Sequence, residues 1–103
     1  MYNPFTLQGK TILVTGASSG IGRAAAIECS RMGARVIVTG RNEERLKETL
    51  GQLEGEGHAM IVADLSDDAQ LDNLVEQTPV LDGLVNNAGI NDLFPVLFIN
   101  REE

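Results

Sequence analysis

Disulfide chemistry and metal ligation have almost no basis in this chain, which contains one cysteine and one histidine among 103 residues. Cys29 has no second thiol with which to form an intrachain disulfide, and its place in an apolar pattern favours a small buried residue over a nucleophile. His58 has no partner at metal-ligand spacing, so we expect it at a strand edge or on the surface and predict no metal site.

Long apolar runs and an excess of positive charge are also missing. No run approaches the ~20 residues of a membrane-spanning helix, and the first residues lack the basic region and apolar core of a signal peptide. The 8 lysines and arginines are outnumbered by 15 acidic residues, which gives a net charge of −7. Because no basic surface dominates, we expect neither nucleic acid nor an anionic membrane as partner. The lack of a signal peptide and of a membrane-spanning run predicts a soluble cytoplasmic protein.

What the chain does have is a glycine-rich segment, TGASSGIG, at residues 15–22, between an apolar run and a segment rich in alanine. Gly16 would allow a tight turn, Gly20 would let a pyrophosphate approach the backbone, and Gly22 would let a helix pack close to the strand. The free amides at the start of that helix and the positive end of its dipole attract anions. The G-x-x-x-G-x-G spacing differs from the commonest dinucleotide motif, so its weight comes from the strand before it and the helix after it.

Apolar periodicity divides the chain into alternating strands and helices. The expected strands span residues 11–15, 35–39, 58–63 and 81–85. One helix is expected over residues 20–32, a second after a cap at Asn42, and a third after a cap at Ser66 or Asp67. The residues that the first helix is expected to turn towards the sheet are Ile21, Ala24, Ala25, Cys29 and Met32.

Short connections and right-handed crossovers turn this alternation into a three-layer α/β fold. We predict a Rossmann-like parallel sheet with strand order 3-2-1-4, truncated after the fourth strand, with a crevice between the first and fourth strands. The glycine-rich turn and three further segments would then lie together at the carboxyl edge of the sheet, as ligand-binding segments do. Those segments are Gly40-Arg41, Asp64-Leu65 and Asn86–Gly89.

Three of these segments together resemble the classical short-chain dehydrogenase/reductases, and most closely their 3-oxoacyl-carrier-protein reductase type. They are TGASSGIG at 15–22, Asp64-Leu65, and NNAG at 86–89, in that order and on the expected elements. The resemblance covers nearly the whole chain but somewhat under half of a typical member. It implies that residues 1–103 are the incomplete N-terminal cofactor-binding part of a Rossmann-fold reductase. The protein partner of such a fragment would be the missing C-terminal part of the enzyme or further copies of the fragment.

The resemblance also assigns contacts to a dinucleotide cofactor. The turn would hold the pyrophosphate and the adenosine ribose, and Asp64 would accept a hydrogen bond from the adenine amino group beside the Leu65 backbone. The segment after the fourth strand would line the ribose and the path to the nicotinamide, whereas Asn86 would tie neighbouring strands together. The cofactor-binding residues implied in this way are Gly16, Ser18, Ser19, Gly20, Ile21, Gly22, Asp64, Leu65, Asn87, Ala88 and Gly89.

The end of the second strand bears on the choice between NADP and NAD. NAD sites commonly place an acid there to hold the ribose 2′-hydroxyl, whereas this chain has Thr39-Gly40-Arg41. A guanidinium can grip a 2′-phosphate bidentately, so Arg41 favours NADP over NAD, unless it is only a solvated turn residue. Arg23 is a second candidate for this contact, or else a surface residue.

The residues that perform the chemistry of the family are not found in this sequence. That chemistry uses a serine, a helix asparagine and a Y-x-x-x-K pair whose lysine lowers the tyrosine pKa. The only tyrosine, Tyr2, has no lysine four residues on, and Asn100 lies too early to be the asparagine. We therefore expect no catalytic residue in this chain. Two other hypotheses stay open: nucleotide binding without turnover, and a half-domain that associates with itself through its uncovered edge strand.

Overall fold

Strands and helices alternate along the chain as the sequence predicts. The computed structural model describes residues 6–18, 20–78 and 80–87. Residues singled out from the sequence that lie outside these ranges are Tyr2, Ser19, Ala88, Gly89 and Asn100. The elements are β1 (Thr11–Thr15), α1 (Gly20–Arg31), β2 (Arg35–Gly40), α2 (Glu43–Gln52), β3 (Ala59–Val62), α3 (Asp68–Gln77) and β4 (Gly83–Asn86). In the part of the chain that is described, no helix has the length and apolarity needed to cross a membrane.

The described strands form one parallel sheet in the order β3-β2-β1-β4, which confirms the predicted strand order. β1 lies inside the sheet, where Val14 pairs with Val38 of β2 on one side and with Val85 of β4 on the other. Because the strands run in the same direction, the segments that follow them meet at one edge. The predicted site segments therefore share one rim of the sheet.

The core has two parts, one on each face of the sheet, which confirms the three-layer arrangement. Side chains of a strand alternate between the faces, so Val14 packs on one face and Leu13 on the other. The first face is covered by α1 and α2, which bury Ala26 and Leu46 completely. The second face is covered by α3, which buries Leu74 completely.

The face that α1 turns towards the sheet differs from the expected one. Its buried residues are Gly22, Ala26 and Ser30, at the four-residue spacing of one helical stripe. Ile21, by contrast, is 78% exposed and Met32 is 37% exposed. Of the expected residues, Cys29 does pack against the core, whereas the expectation was wrong for Ile21 and Met32. At its start the helix lies so close to the turn after β1 that only glycine fits between them, as the contact of Gly22 shows below.

Cys29 is half-buried against the core on the first face of the sheet. Burial, and after it the negative charge of Glu28, raises the pKa of the thiol. The side chain therefore holds less of the nucleophilic thiolate than an ordinary cysteine, which supports the packing role predicted from the sequence.

Two strands begin later than predicted, and just before each of them a side chain bonds to the neighbouring strand. His58 Nδ1 accepts a hydrogen bond from the Val36 backbone N at 3.0 Å, and β3 starts at the next residue. Asp82 Oδ2 accepts a hydrogen bond from the Thr11 backbone N at 2.8 Å, immediately before β4. The Asp82 backbone N also donates to the Thr11 carbonyl at 2.9 Å, so the contact with β1 begins before the regular strand.

The helix starts follow the capping residues in the sequence. At α2, Asn42 Oδ1 accepts a hydrogen bond from the Arg45 backbone N at 3.0 Å, as predicted. At α3 the structure shows which of the two predicted cap residues, Ser66 or Asp67, begins the helix. Asp67 Oδ1 caps the helix by accepting hydrogen bonds from two backbone N–H groups of the first turn, whereas Ser66 binds Asp64 instead.

Candidate functional site

The carboxyl edge of the sheet carries an open cleft of about 770 Å³. It lies over the ends of β1, β2 and β3 and brings together three of the segments predicted from the sequence. Its lining residues are Gly16, Ser18, Gly40, Arg41, Asn42, Arg45, Ala63, Asp64, Leu65 and Ser66. The crevice expected between β1 and β4 is described only as far as Asn87.

Gly16 and Gly20 set the shape of the turn that follows β1. Their φ angles are +61° and +59°, in the left-handed region that glycine enters at little cost. A Cβ atom at Gly20 would meet no atom of the described residues within 4 Å, so this position borders open space in that part of the chain. A ligand could approach the backbone here, as the sequence analysis requires of Gly20.

Gly22 brings the start of α1 against the turn itself. A Cβ atom at this position would lie 2.0 Å from the carbonyl oxygen of Gly16 and 2.9 Å from Asn87 Nδ2. The sequence predicts a close contact between the helix and the strand, and the structure shows that the contact is with the turn at the end of the strand. Any side chain at this position would displace the turn.

Backbone amides at the start of α1 differ from the amide of Ala17 in the turn, which is already bonded. The Ala17 amide donates a hydrogen bond to the Thr39 carbonyl at 3.1 Å, which holds the turn against β2 and removes this amide as an anion ligand. The amides of the first turn of α1 have no acceptor within the helix, and the positive end of the helix dipole lies there. That turn carries no acidic residue, so no carboxylate within it opposes the approach of an anion.

The end of β4 is tied to the turn through Thr15, a residue that the sequence analysis did not single out. Thr15 Oγ1 donates to Asn86 Oδ1 at 3.1 Å, which confirms that Asn86 joins neighbouring strands. The Asn87 backbone N donates to Thr15 Oγ1 at 2.9 Å, and Asn87 Nδ2 donates to the Gly16 carbonyl at 3.3 Å. The available signal was a hydroxyl residue at the end of an otherwise apolar strand.

Asp64 presents an ionised acceptor at the cleft. Its Oδ1 atom accepts hydrogen bonds from the Ser66 hydroxyl at 2.6 Å and from the Ser66 backbone N at 3.0 Å. These two bonds, and to a smaller extent the positive charge of Arg41, lower the pKa of the carboxyl group. Leu65 is buried in the core of the second face, so only its backbone is available to a ligand.

Arg41 and Arg45 place two cationic side chains at the end of the cleft near α2. Arg41 is exposed, and within the described ranges it makes no ion pair. Arg45 was not predicted from the sequence, although its position four residues after Arg41, at the start of a capped helix, places it on the same rim. An anionic group bound here would meet both guanidinium groups.

Arg23 does not line the cleft, although the sequence makes it a candidate for the same contact. Its Nη2 atom donates to the Ser18 carbonyl at 2.7 Å, and its Nε atom donates to Thr49 Oγ1 at 2.8 Å. With its side chain only 23% exposed, it is not a free surface residue either. Arg23 therefore joins the glycine-rich turn to α2 rather than offering a phosphate ligand.

Comparison with known proteins identifies the family to which this site belongs. The sequence model of the short chain dehydrogenase family matches residues 10–103 of this chain. The chain therefore belongs to this family of oxidoreductases. The 3-oxoacyl-[acyl-carrier-protein] reductase FabG of Rickettsia prowazekii is 46% identical over 84 residues, which cover 82% of this chain and 34% of that protein. The chain thus spans about a third of the length of this relative. The family resemblance found in the sequence is confirmed.

Solved structures support the same assignment of fold. The Pseudomonas aeruginosa RhlG/NADP active-site complex is 40% identical with a TM-score of 0.75, over 87% of this chain and 38% of that one. A short chain dehydrogenase from Escherichia coli CFT073 complexed with NADPH is 38% identical with a TM-score of 0.70, over 86% of this chain and 41% of that one.

Proposed function

We propose that this chain is the cofactor-binding part of an NADP-dependent short-chain oxidoreductase. Such an enzyme transfers a hydride between NADP(H) and a ketone or alcohol, a reaction for which the nicotinamide supplies the hydride chemistry. The observation that carries the proposal is Arg41 on the rim of the cleft, at the end of a strand where an NAD site would commonly have an acid. Both solved relatives described above are named as complexes with NADP or NADPH.

The residues present fit each charged or polar part of this cofactor. The first turn of α1, whose amides have no acceptor within the helix and which carries no acidic residue, suits the pyrophosphate. Arg41 and Arg45 suit a 2′-phosphate, and a carboxylate that would repel it is missing from the end of β2. Asp64, kept ionised by Ser66, suits the adenine amino group as an acceptor.

The substrate and the protein partner belong to the same proposal. The name of the Rickettsia relative favours a 3-oxoacyl substrate. Because these 103 residues contain no Y-x-x-x-K pair, we propose that this chain binds the cofactor without turnover by itself. It would act with a C-terminal part or with copies of itself, and β4, which among the described strands pairs only with β1, offers an edge for that contact. The cytoplasmic location stays a prediction.

The proposal is tested by titrating the chain with NADPH and with NADH and following nicotinamide fluorescence. Substitution of Arg41→Ala removes charge-assisted hydrogen bonds to the 2′-phosphate, so we expect about tenfold weaker NADPH binding. NADH, which lacks that phosphate, should keep its affinity within about twofold. The Arg41→Lys variant keeps the charge but loses the bidentate geometry and should fall between the two.

The matched control is Lys10→Ala, which removes one exposed positive charge immediately before β1, at the opposite edge of the sheet. It should leave both affinities unchanged. An equal loss of NADPH and NADH binding in the Arg41 variant would contradict the assignment of NADP. Reduction of a ketone by the unmodified chain would contradict the statement that it binds without turnover.

A further inference from the structure

The glycine-rich turn is held from behind by a hydrogen-bond network that reaches it from α2. The side chain of Thr49 is completely buried, and its Oγ1 atom lies 2.8 Å from the carbonyl oxygen of Ala17. Thr49 lies 32 residues from Ala17 along the chain, so this contact exists only in the folded protein. A buried hydroxyl bonded to a turn carbonyl fixes the rotation of that peptide unit.

Arg23 extends this network to the next carbonyl of the turn. Its guanidinium donates to the Ser18 carbonyl at 2.7 Å, to Thr49 Oγ1 at 2.8 Å and to the Arg45 carbonyl at 3.0 Å. Two consecutive turn carbonyls are therefore bound from the side of α2. Thr49 Oγ1 also lies 3.2 Å from the Arg45 carbonyl oxygen, a longer contact than the one with Ala17. A 3.5 Å ion pair between Arg23 and the exposed Glu48 adds little.

Holding the carbonyls determines where the neighbouring amide points. In a trans peptide unit the C=O and N–H groups point in opposite directions, and no described peptide bond is cis. With the Ala17 carbonyl directed at Thr49, the N–H of Ser18 points away from α2, and Ser18 lines the cleft. The network thus sets the amide direction on which anion binding at this turn depends.

We propose that Thr49 and Arg23 are positioning residues that keep the glycine-rich turn in its phosphate-binding shape. The inference rests on the proposed function, because the phosphates are those of the cofactor. In this proposal α2 contributes to both ends of the cofactor site. Arg41, at the 2′-phosphate end of the cleft, lies just before α2, and Thr49 within α2 orders the turn that binds the pyrophosphate.

The test compares Thr49→Val with Thr49→Ser in the full chain. The valine variant keeps the shape of the side chain but loses the hydroxyl, and we expect about tenfold weaker binding of both NADPH and NADH. The ratio of NADPH affinity to NADH affinity should stay unchanged in Thr49→Val, whereas Arg41→Ala should change it. The serine variant retains the hydroxyl and restores binding to within about threefold of the unmodified chain.

The matched control is Ser30→Ala, which removes another buried hydroxyl between α1 and the segment after α2, at the end of α1 distant from the turn. Ser30 Oγ accepts a hydrogen bond from the Glu54 backbone N at 3.0 Å. This variant should be destabilised to a similar extent and should bind both cofactors like the unmodified chain. Cofactor affinities equal in Thr49→Val and Ser30→Ala would overturn the proposal.

A ligand-free readout separates failure of this inference from failure of the proposed function. Amide hydrogen exchange of residues 16–22 should become about tenfold faster in Thr49→Val than in Ser30→Ala. If the unmodified chain binds neither NADPH nor NADH, the proposed function fails, and unchanged exchange of the turn overturns the positioning role as well. If Thr49→Val does not fold, Arg23→Lys, which shortens the reach to the Ser18 carbonyl, should show the same loss in smaller degree.

Discussion

Gly22 gives the sharpest test of how the turn and α1 are packed. In Gly22→Ala the added methyl group would lie 2.0 Å from the Gly16 carbonyl oxygen and 2.7 Å from its carbonyl carbon, whereas real contacts of a Cβ atom stay above 3.0 Å. The helix and the turn must therefore separate by about 1 Å, because both obstructing atoms belong to the backbone and cannot rotate away.

The size of the effect follows from two opposing terms. Overpacking costs about 1–3 kcal/mol, and a required backbone shift puts this site at the upper end of that range. Alanine recovers at most about 1 kcal/mol of helix propensity relative to glycine. We therefore expect a net loss of about 2 kcal/mol in the free energy of unfolding, which lowers the Tm of a domain of this size by about 8–16 °C.

The assay is urea unfolding followed by circular dichroism, with Gly51→Ala as the matched control. Gly51 lies inside α2, and apart from the backbone of its own helix no atom of the described residues lies within 4 Å of its Cβ position. The same substitution should therefore stabilise the chain by about 0.5–1 kcal/mol. The two substitutions should thus change the free energy of unfolding in opposite directions. A Gly22→Ala variant as stable as Gly51→Ala would refute the close contact between α1 and the turn.

Two further predictions concern the polar groups around α3. Asp67→Ala removes the helix cap and should lower the free energy of unfolding by about 1 kcal/mol in urea titrations, whereas Asp68→Ala, one residue inside the helix, should have a smaller effect. Ser66→Ala removes the hydroxyl bond to Asp64, so the pKa of that carboxyl, which is now below its ordinary value, should rise in an NMR titration. A carboxyl pKa that folding lowers stabilises the fold at neutral pH, and this contribution is lost as the pH falls through the pKa of the folded state. The variant has less of this contribution, so it should lose less stability on acidification than the unmodified chain. An unchanged titration of Asp64 in the variant would contradict this reasoning.

Local signals account for the parts of the fold that the sequence predicts well. The alternation of strands and helices, the turn at Gly16 and the cap at Asn42 depend on residues that are close together along the chain. The parallel strand order followed from short right-handed connections. Strand starts were less predictable, because the side chains of His58 and Asp82 bond to strands distant in sequence, which local periodicity does not report.

The buried face of α1 shows where periodicity alone is insufficient. The apolar residues suggested one face, but the sheet approaches the stripe containing Gly22 and leaves Ile21 in solvent. A hydrophobic pattern reports which residues prefer burial, whereas the distance between two packed elements decides which side chains fit. That distance is a property of the assembled layers and cannot be read from one helix.

By itself the sequence determined the class of fold, the family and the position of the glycine-rich turn, because these depend on local periodicity and on residue types with restricted backbone conformations. Tertiary structure alone decided that Arg23 is bound to the Ser18 carbonyl while Arg41 lies at the rim of the cleft. The two side chains are chemically identical. Their surroundings differ because folding packs α2 against the glycine-rich turn and leaves the end of β2 open. Neither arrangement can be predicted from the residues adjacent to the two arginines.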